Sequence, residues 1–123
     1  DNTSRTIDDL NEITIDNENN NIAYIHLYNS QSIEIAKTII DAEDIEKVKN
    51  IKWRPVPKKN KLYVKMGREN NQEYLARFLL SYKGELEVDH IDGNELNNRK
   101  NNLRIVDQKF NKFNLADLNL RYI

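Results

Sequence analysis

The sequence has no cysteine, only three glycines and two prolines among 123 residues, and no long apolar run. The absence of cysteine excludes disulfides, thiolate zinc sites and a cysteine nucleophile. Because no apolar stretch approaches the length of a membrane span and no secretory signal pattern is present, we expect a cytoplasmic protein with no membrane partner. The length suffices for one compact domain and is too short for two ordinary ones.

A global excess of one charge sign is also missing, since the formal net charge is −1. The charges are nevertheless divided along the chain. Residues 1–50 carry four basic and eleven acidic groups, whereas residues 51–123 carry fifteen basic and nine acidic groups. Two interpretations stay open: the basic part faces a polyanion while the acidic part faces away, or both parts are ordinary solvated surface.

The spacing of apolar residues predicts an α+β fold with small antiparallel sheets and three helices. Asp41 is typical of a helix N-cap, and the prolines after Trp53 favour a turn between two strands. The predicted strands are 12–16, 22–28, 32–39, two pieces within 53–66 around a turn at 55–61, 86–90 and 103–106, and the predicted helices are 42–50, 72–82 and 107–118.

Residues that can bind a metal and move a proton are concentrated in the C-terminal third. Two short strands, a polar loop and a following helix can bring Asp89, His90 and Asn111 into one pocket. A carboxylate and an amide oxygen suit a hard divalent cation and leave positions open for water and phosphate oxygens. An imidazole can accept a proton from an attacking water near neutral pH. This set favours Mg²⁺- or Mn²⁺-assisted phosphodiester hydrolysis, because a closed structural zinc site uses Cys or several His.

The segment 74–114 resembles the HNH, or ββα-metal, endonucleases, particularly the homing branch of phages and mobile elements. The region upstream, with Thr38 to Asp44 and then Trp53, resembles the corresponding region of these proteins more weakly. The matching motifs are Val-Asp-His-Ile-Asp-Gly-Asn at 88–94, Asn-Asn-Arg at 97–99, Asn-Leu-Arg at 102–104, and Asn111 and Asn114.

The resemblance implies a ββα-metal core and a role for each matching residue. His90 matches the general base, and Asp89 and Asn111 match the ligands of one Mg²⁺ or Mn²⁺ ion. Asn102 matches the catalytic-motif residue that holds the loop and orients the His. Arg99 is also open to a second interpretation, in which it only braces the loop. The predicted DNA contacts are Arg77, Arg99, Lys100, Arg104, Lys109 and Lys112.

One position departs from the family pattern. Relatives often have Leu-His-Arg in the helix before the motif, whereas this sequence has Leu75-Ala76-Arg77. Ala76 is either natural, with the function shifted or weakened, or an introduced change that lowers activity. The sequence leaves both explanations open.

Other residues with a conceivable role are better explained by the fold. His26 lies in an apolar strand, where we expect a partly buried strand residue rather than a ligand. For Trp53 we favour core packing over stacking on a base. The run from Lys58 to Lys61 fits a hairpin tip that reaches for DNA and an exposed turn almost equally well.

The sequence therefore predicts an HNH-type endonuclease that nicks double-stranded DNA. The alternative is a catalytically impaired HNH-fold module that binds DNA within a larger protein, and a structural domain is a third possibility. We divide the chain into a disordered N-terminus (1–11), an α+β scaffold that contacts DNA (12–70) and the nuclease core (71–123). A start at Asp1 predicts a processed protein or fragment, and a further DNA-binding module is expected outside this chain. The choice between monomer and homodimer stays open.

Overall fold

The structure is a computed structural model and describes residues 9–67 and 69–107. In this part of the chain, eight strands form three antiparallel sheets accompanied by two short α-helices. The strands are β1 (Ile13–Ile15), β2 (Ile22–Tyr28), β3 (Glu34–Asp41), β4 (Trp53–Lys58), β5 (Lys61–Met66), β6 (Glu73–Tyr74), β7 (Glu87–His90) and β8 (Leu103–Val106), and the helices are α1 (Ile45–Val48) and α2 (Leu75–Leu80).

The first sheet has the order β1-β2-β3 and confirms the predicted N-terminal hairpin. On β2, Ala23, Ile25 and Leu27 are buried, as the two-residue repeat of a strand with one apolar face requires. Ile25 pairs with Thr38 on β3. β3 extends two residues beyond its predicted end and brings Asp41 to the edge of the sheet.

The second sheet has the order β4-β5-β6, and here the predicted turn at 55–61 is wrong. Pro55 and Pro57 lie inside β4, paired with β5, so the turn consists only of Lys59 and Asn60. Both turn residues have positive φ, at 52° and 67°, as two-residue hairpin turns of the primed type require. Proline is tolerated because β4 is an edge strand, whose outer side needs no hydrogen-bond donors.

Both predicted helices within the described chain are shorter than expected. The segment 42–50 consists of a 3₁₀ turn (Ala42–Asp44) and the four-residue α1. Asp41 occupies the N-cap position, but its side chain makes no cap hydrogen bond. The predicted helix 72–82 is α2 alone, since Glu73 and Tyr74 pair with β5 instead. α2 ends at Ser81, which has left-handed φ.

The third sheet consists of β7 and β8, which pair from Glu87↔Val106 to His90↔Leu103. It matches the two strands predicted around the polar loop. The loop docks on β3, where Ile39 N–H donates to Leu96 O at 2.7 Å and Asn98 N–H donates to Ile39 O at 2.8 Å. Sheets and helices together confirm the α+β class. The last predicted helix lies outside the described residues.

The main core lies between the first two sheets and the helices. Trp53 is 1% exposed, contacts Phe78 edge to face and donates from Nε1 to Val48 O at 3.1 Å, which confirms core packing. Asn11, at the end of the segment expected to be disordered, is buried and its side chain hydrogen-bonds both N and O of Trp53. No helix in the described ranges combines the length and apolar character of a membrane span.

Candidate functional site

An open cleft of about 740 Å³ lies between the second sheet, α2 and the β7–β8 hairpin. β7 supplies four consecutive lining residues, so the cleft follows the strand on which Asp89 and His90 are neighbours. The docked loop closes one end with Glu95 and Asn98. The remaining lining residues are Lys58, Tyr63, Val64, Gln72, Glu73, Tyr74, Ala76 and Arg77.

His90 and Asp89 have different partners. His90 Nε2 lies 2.8 Å from Asn98 Oδ1. Asp89 lies opposite Arg104 in the β7–β8 ladder, and Arg104 Nη2 is 3.6 Å from Asp89 Oδ2. The ladder therefore places the guanidinium of Arg104 beside Asp89, the predicted metal ligand. The imidazole of His90 is instead hydrogen-bonded to Asn98 in the loop.

Asn102 joins the two ends of the loop that follows His90. Its Oδ1 accepts from Asp92 N–H at 3.1 Å, and its Nδ2 donates to Asp92 Oδ1 and Asn97 O, both at 2.9 Å. Its backbone oxygen accepts from Ile91 N–H, directly after His90. These bonds fix the backbone on both sides of the loop.

Asp92 is the charged centre of this loop. Burial alone would raise the pKa of its carboxyl, but hydrogen bonds from Asn94 N–H, Asn97 and Asn102 hold that pKa below its ordinary value. His90 adds a smaller electrostatic effect in the same direction. The ionised carboxylate thus favours the observed loop conformation, because three donors converge on it.

Arg99 and Lys100, two predicted DNA contacts, are engaged by acidic residues of the N-terminal half. Arg99 Nε donates to Asp41 Oδ1 at 2.8 Å, and Lys100 Nζ donates to Asp44 at 2.8 and 2.9 Å. Burial would raise the pKa of Asp41, but the Arg99 and Lys100 N–H donors lower it below its ordinary value. Burial would likewise lower the pKa of Lys100, whereas Asp44 and Glu43 raise it. Both cations brace the loop against β3, and their contact with DNA stays a prediction.

Of the predicted DNA contacts that the structure describes, Arg77 lines the cleft. Its guanidinium donates to Leu86 O at 3.0 Å and to Gly84 O, which ties α2 to the segment before β7. Arg104 lies opposite Asp89 in the β7–β8 ladder, with its guanidinium beside the carboxylate. Lys109, Lys112 and the predicted ligand Asn111 lie outside the described residues.

Ala76 lies in the same cleft as Asp89 and His90. It is buried in the first half of α2. A larger side chain at this position would therefore change the lining of the cleft. The departure from the family pattern therefore falls at the candidate site itself.

The site also contains residues that sequence reasoning missed. Asn98 is 1% exposed and contacts His90, although it was recognised only as part of a motif. Thr38 on β3 is fully buried and accepts a hydrogen bond from Asn98. The weak resemblance of the region that begins at Thr38 did not indicate this contact, because 60 residues separate Thr38 from Asn98.

The acidic and imidazole side chains of the described residues limit how a divalent metal ion could be held. Within 9–67 and 69–107, no group of three or more His, Cys, Asp or Glu side chains is placed to hold one. Asp89 offers a hard carboxylate ligand at an open cleft, which suits Mg²⁺ or Mn²⁺ with water completing the coordination. The described donors thus fit an ion held by few protein ligands and do not fit a closed cage.

Fold and site together define a small α+β protein whose β-hairpin presents an Asp-His pair to an open cleft. Residues 81–112 match the family model described as HNH endonuclease, which confirms the resemblance over that segment. The match contains Asp89, His90, Asn98 and Asn102, and it extends to Asn111. Comparisons with curated proteins and with solved structures gave no match.

Proposed function

We propose that the protein is a metal-dependent HNH endonuclease that nicks double-stranded DNA. The observation that carries this proposal is that Asp89 and His90, which both belong to the segment that matches the HNH model, line one open cleft. A phosphodiester is a substrate that suits a carboxylate, an imidazole and an arginine around one open cleft. The homing branch, the ββα core completed by a final helix and the cytoplasmic location belong to the same proposal.

The reaction would begin with His90 taking a proton from a water molecule. The oxygen of that water forms a bond to phosphorus and the bond from phosphorus to the 3′ oxygen breaks. The departing 3′ oxygen takes up a proton from solvent water, and the products are a 5′-phosphate and a 3′-hydroxyl. Asp89 and Asn111 would hold the metal ion, and Asn102 would keep the loop after His90 in place. Bound Mg²⁺ or Mn²⁺ supplies charge stabilisation at the phosphate oxygens and at the leaving oxygen.

A nicking assay on supercoiled plasmid tests the proposal. We expect conversion to open circles with Mg²⁺ or Mn²⁺, none with EDTA, and a loss of at least about 100-fold for His90→Ala, the range of general-base catalysis. His26→Gln is the matched control, because the chain has only two histidines and His26 does not line the cleft. Equal nicking by wild type and His90→Ala would contradict the assignment of the base.

A second candidate function is a DNA-binding module that has lost cleavage, and Ala76 favours it because this residue lies in the cleft. Ala76→His separates the two candidates. If the wild type nicks weakly, the variant should nick faster. If the wild type binds DNA in a salt-dependent manner and no variant nicks, the binding module is the better account.

A further inference from the structure

Three polar side chains from two distant parts of the chain form a continuous hydrogen-bonded series beside the cleft. Thr38 Oγ1 donates to Leu96 O at 2.8 Å, and Asn98 Nδ2 donates to Thr38 Oγ1 at 2.8 Å. Asn98 Oδ1 then lies 2.8 Å from His90 Nε2. Thr38 and Asn98 are buried, so water does not compete for the bond between them.

The surroundings of Asn98 determine which end of its amide faces His90. Its Nδ2 is 3.2 Å from Glu95 O, and a carbonyl oxygen can only accept a hydrogen bond. The Thr38 hydroxyl proton is used on Leu96 O, so Thr38 Oγ1 also acts as an acceptor toward Asn98. A flipped amide would place two oxygens against each other at Glu95, and therefore Oδ1 faces the imidazole.

An amide oxygen at His90 Nε2 determines where the proton of the neutral ring lies. Oδ1 carries no proton, so Nε2 must donate and Nδ1 keeps its lone pair. His26 has the opposite arrangement, because its Nδ1 lies 2.9 Å from a Glu34 carboxylate oxygen and its Nε2 lies 2.8 Å from Thr14 Oγ1. The two histidines of the chain are thus expected to be opposite neutral tautomers.

We propose that Thr38 and Asn98 are positioning residues that hold His90 as its Nε2–H tautomer, with Nδ1 as the basic atom. The part of this inference that concerns catalysis rests on the proposed function, in which Nδ1 accepts the proton of water. The first sheet then takes part in the site through Thr38. Neither residue touches the reacting atoms, and both act through His90.

The tautomers are measured on the protein without metal or DNA. Protein labelled with ¹⁵N-histidine is examined by long-range ¹H–¹⁵N correlation at about pH 8.5, where unperturbed imidazoles are neutral. We expect the Nε2–H pattern for His90 and the Nδ1–H pattern for His26, with His26→Gln giving the assignment. An Nδ1–H or exchange-averaged pattern for wild-type His90 would overturn the proposal.

Two variants test the support given by the amide and the hydroxyl. Asn98→Ala should change the His90 signals to an exchange-averaged pattern, and Thr38→Val should shift the same signals part of the way toward that pattern. Asn101→Ala, at an exposed position, should leave the His90 signals unchanged. Unchanged His90 signals in both Asn98→Ala and Thr38→Val would refute the positioning role. The wild-type spectrum and the nearly isosteric Thr38→Val keep the test decisive if Asn98→Ala fails to fold.

The plasmid assay separates this inference from the proposed function. Asn98→Ala is expected to lower the nicking rate by about 10- to 100-fold, the usual effect of removing a residue that orients an active-site group. A wild type with the Nε2–H tautomer and no nicking would contradict the proposed function and leave the tautomer assignment standing. Nicking by a wild type whose His90 signals are exchange-averaged would contradict the tautomer assignment and leave the proposed function standing.

Discussion

Replacing Asn102 by alanine removes three side-chain hydrogen bonds from the loop that follows His90. The lost bonds are those to Asp92 N–H, Asp92 Oδ1 and Asn97 O, and Asn102 is only 7% exposed. At about 1 kcal/mol for each bond, the free energy of unfolding should fall by about 3 kcal/mol. For a chain of this length, that loss corresponds to a decrease in Tm of about 12 °C.

Thermal unfolding followed by circular dichroism measures this effect, and the adjacent Asn101 provides a matched control. Asn101 is exposed, so Asn101→Ala should change the free energy of unfolding by less than about 0.5 kcal/mol. If the two alanine variants melt at the same temperature, Asn102 does not hold the loop in the way described. A decrease confined to Asn102→Ala supports the assignment of its three bonds.

Two further changes test the rest of the fold. Asp41→Asn should destabilise the protein at pH 7, because the Asp41 carboxylate accepts a hydrogen bond from Arg99. Folding lowers the pKa of Asp41 below its ordinary value of 3.8, so this stabilisation decreases as the pH falls below 3.8 and the carboxylate is protonated in the folded protein. The difference in stability between wild type and variant should therefore shrink over that range. Tm values at pH 7 and about pH 3 check this, and a difference independent of pH would count against it. Trp53→Ala should cost about 3–5 kcal/mol, since Trp53 is a buried core residue. Urea unfolding followed by circular dichroism measures that loss, and a value below about 1 kcal/mol would contradict the assigned packing.

Local patterns predicted most of the strands because each strand has its own apolar repeat. The β2 residues Ala23, Ile25 and Leu27 alternate with half-buried neighbours, and this repeat can be recognised without tertiary information. Pro55 and Pro57 misled the prediction because proline excludes central strands but not edge strands, and edge position is a property of the sheet. Asp41 is likewise a residue type that favours helix N-caps, yet its carboxylate accepts a hydrogen bond from Arg99 instead of from the helix backbone.

The division of charge along the chain was open to two interpretations, and the structure adds a third, in which acidic and basic residues of the two halves pair with each other. Asp41, Glu43 and Asp44 of the acidic half bind Arg99 and Lys100 of the basic half, so part of the charge is neutralised internally. Counting charges by segment does not reveal such pairing, because it depends on how β3 meets the loop. The Thr38–Asn98–His90 series was unpredictable for the same reason, whereas Asp89 and His90 could be proposed as site residues from the sequence because they are adjacent in the motif.

The docking of the loop on β3 has a consequence for how the molecule folds. Leu96 meets Thr38 across a sequence separation of 58 residues, and closing a segment of that length costs chain entropy before any contact forms. The hairpins β2–β3 and β4–β5 are local and can form early. We therefore expect His90 to reach its final orientation late in folding, after both halves of the chain have acquired their sheets. A chain that lacks β3 would then contain every residue of the motif and still leave His90 without its final orientation.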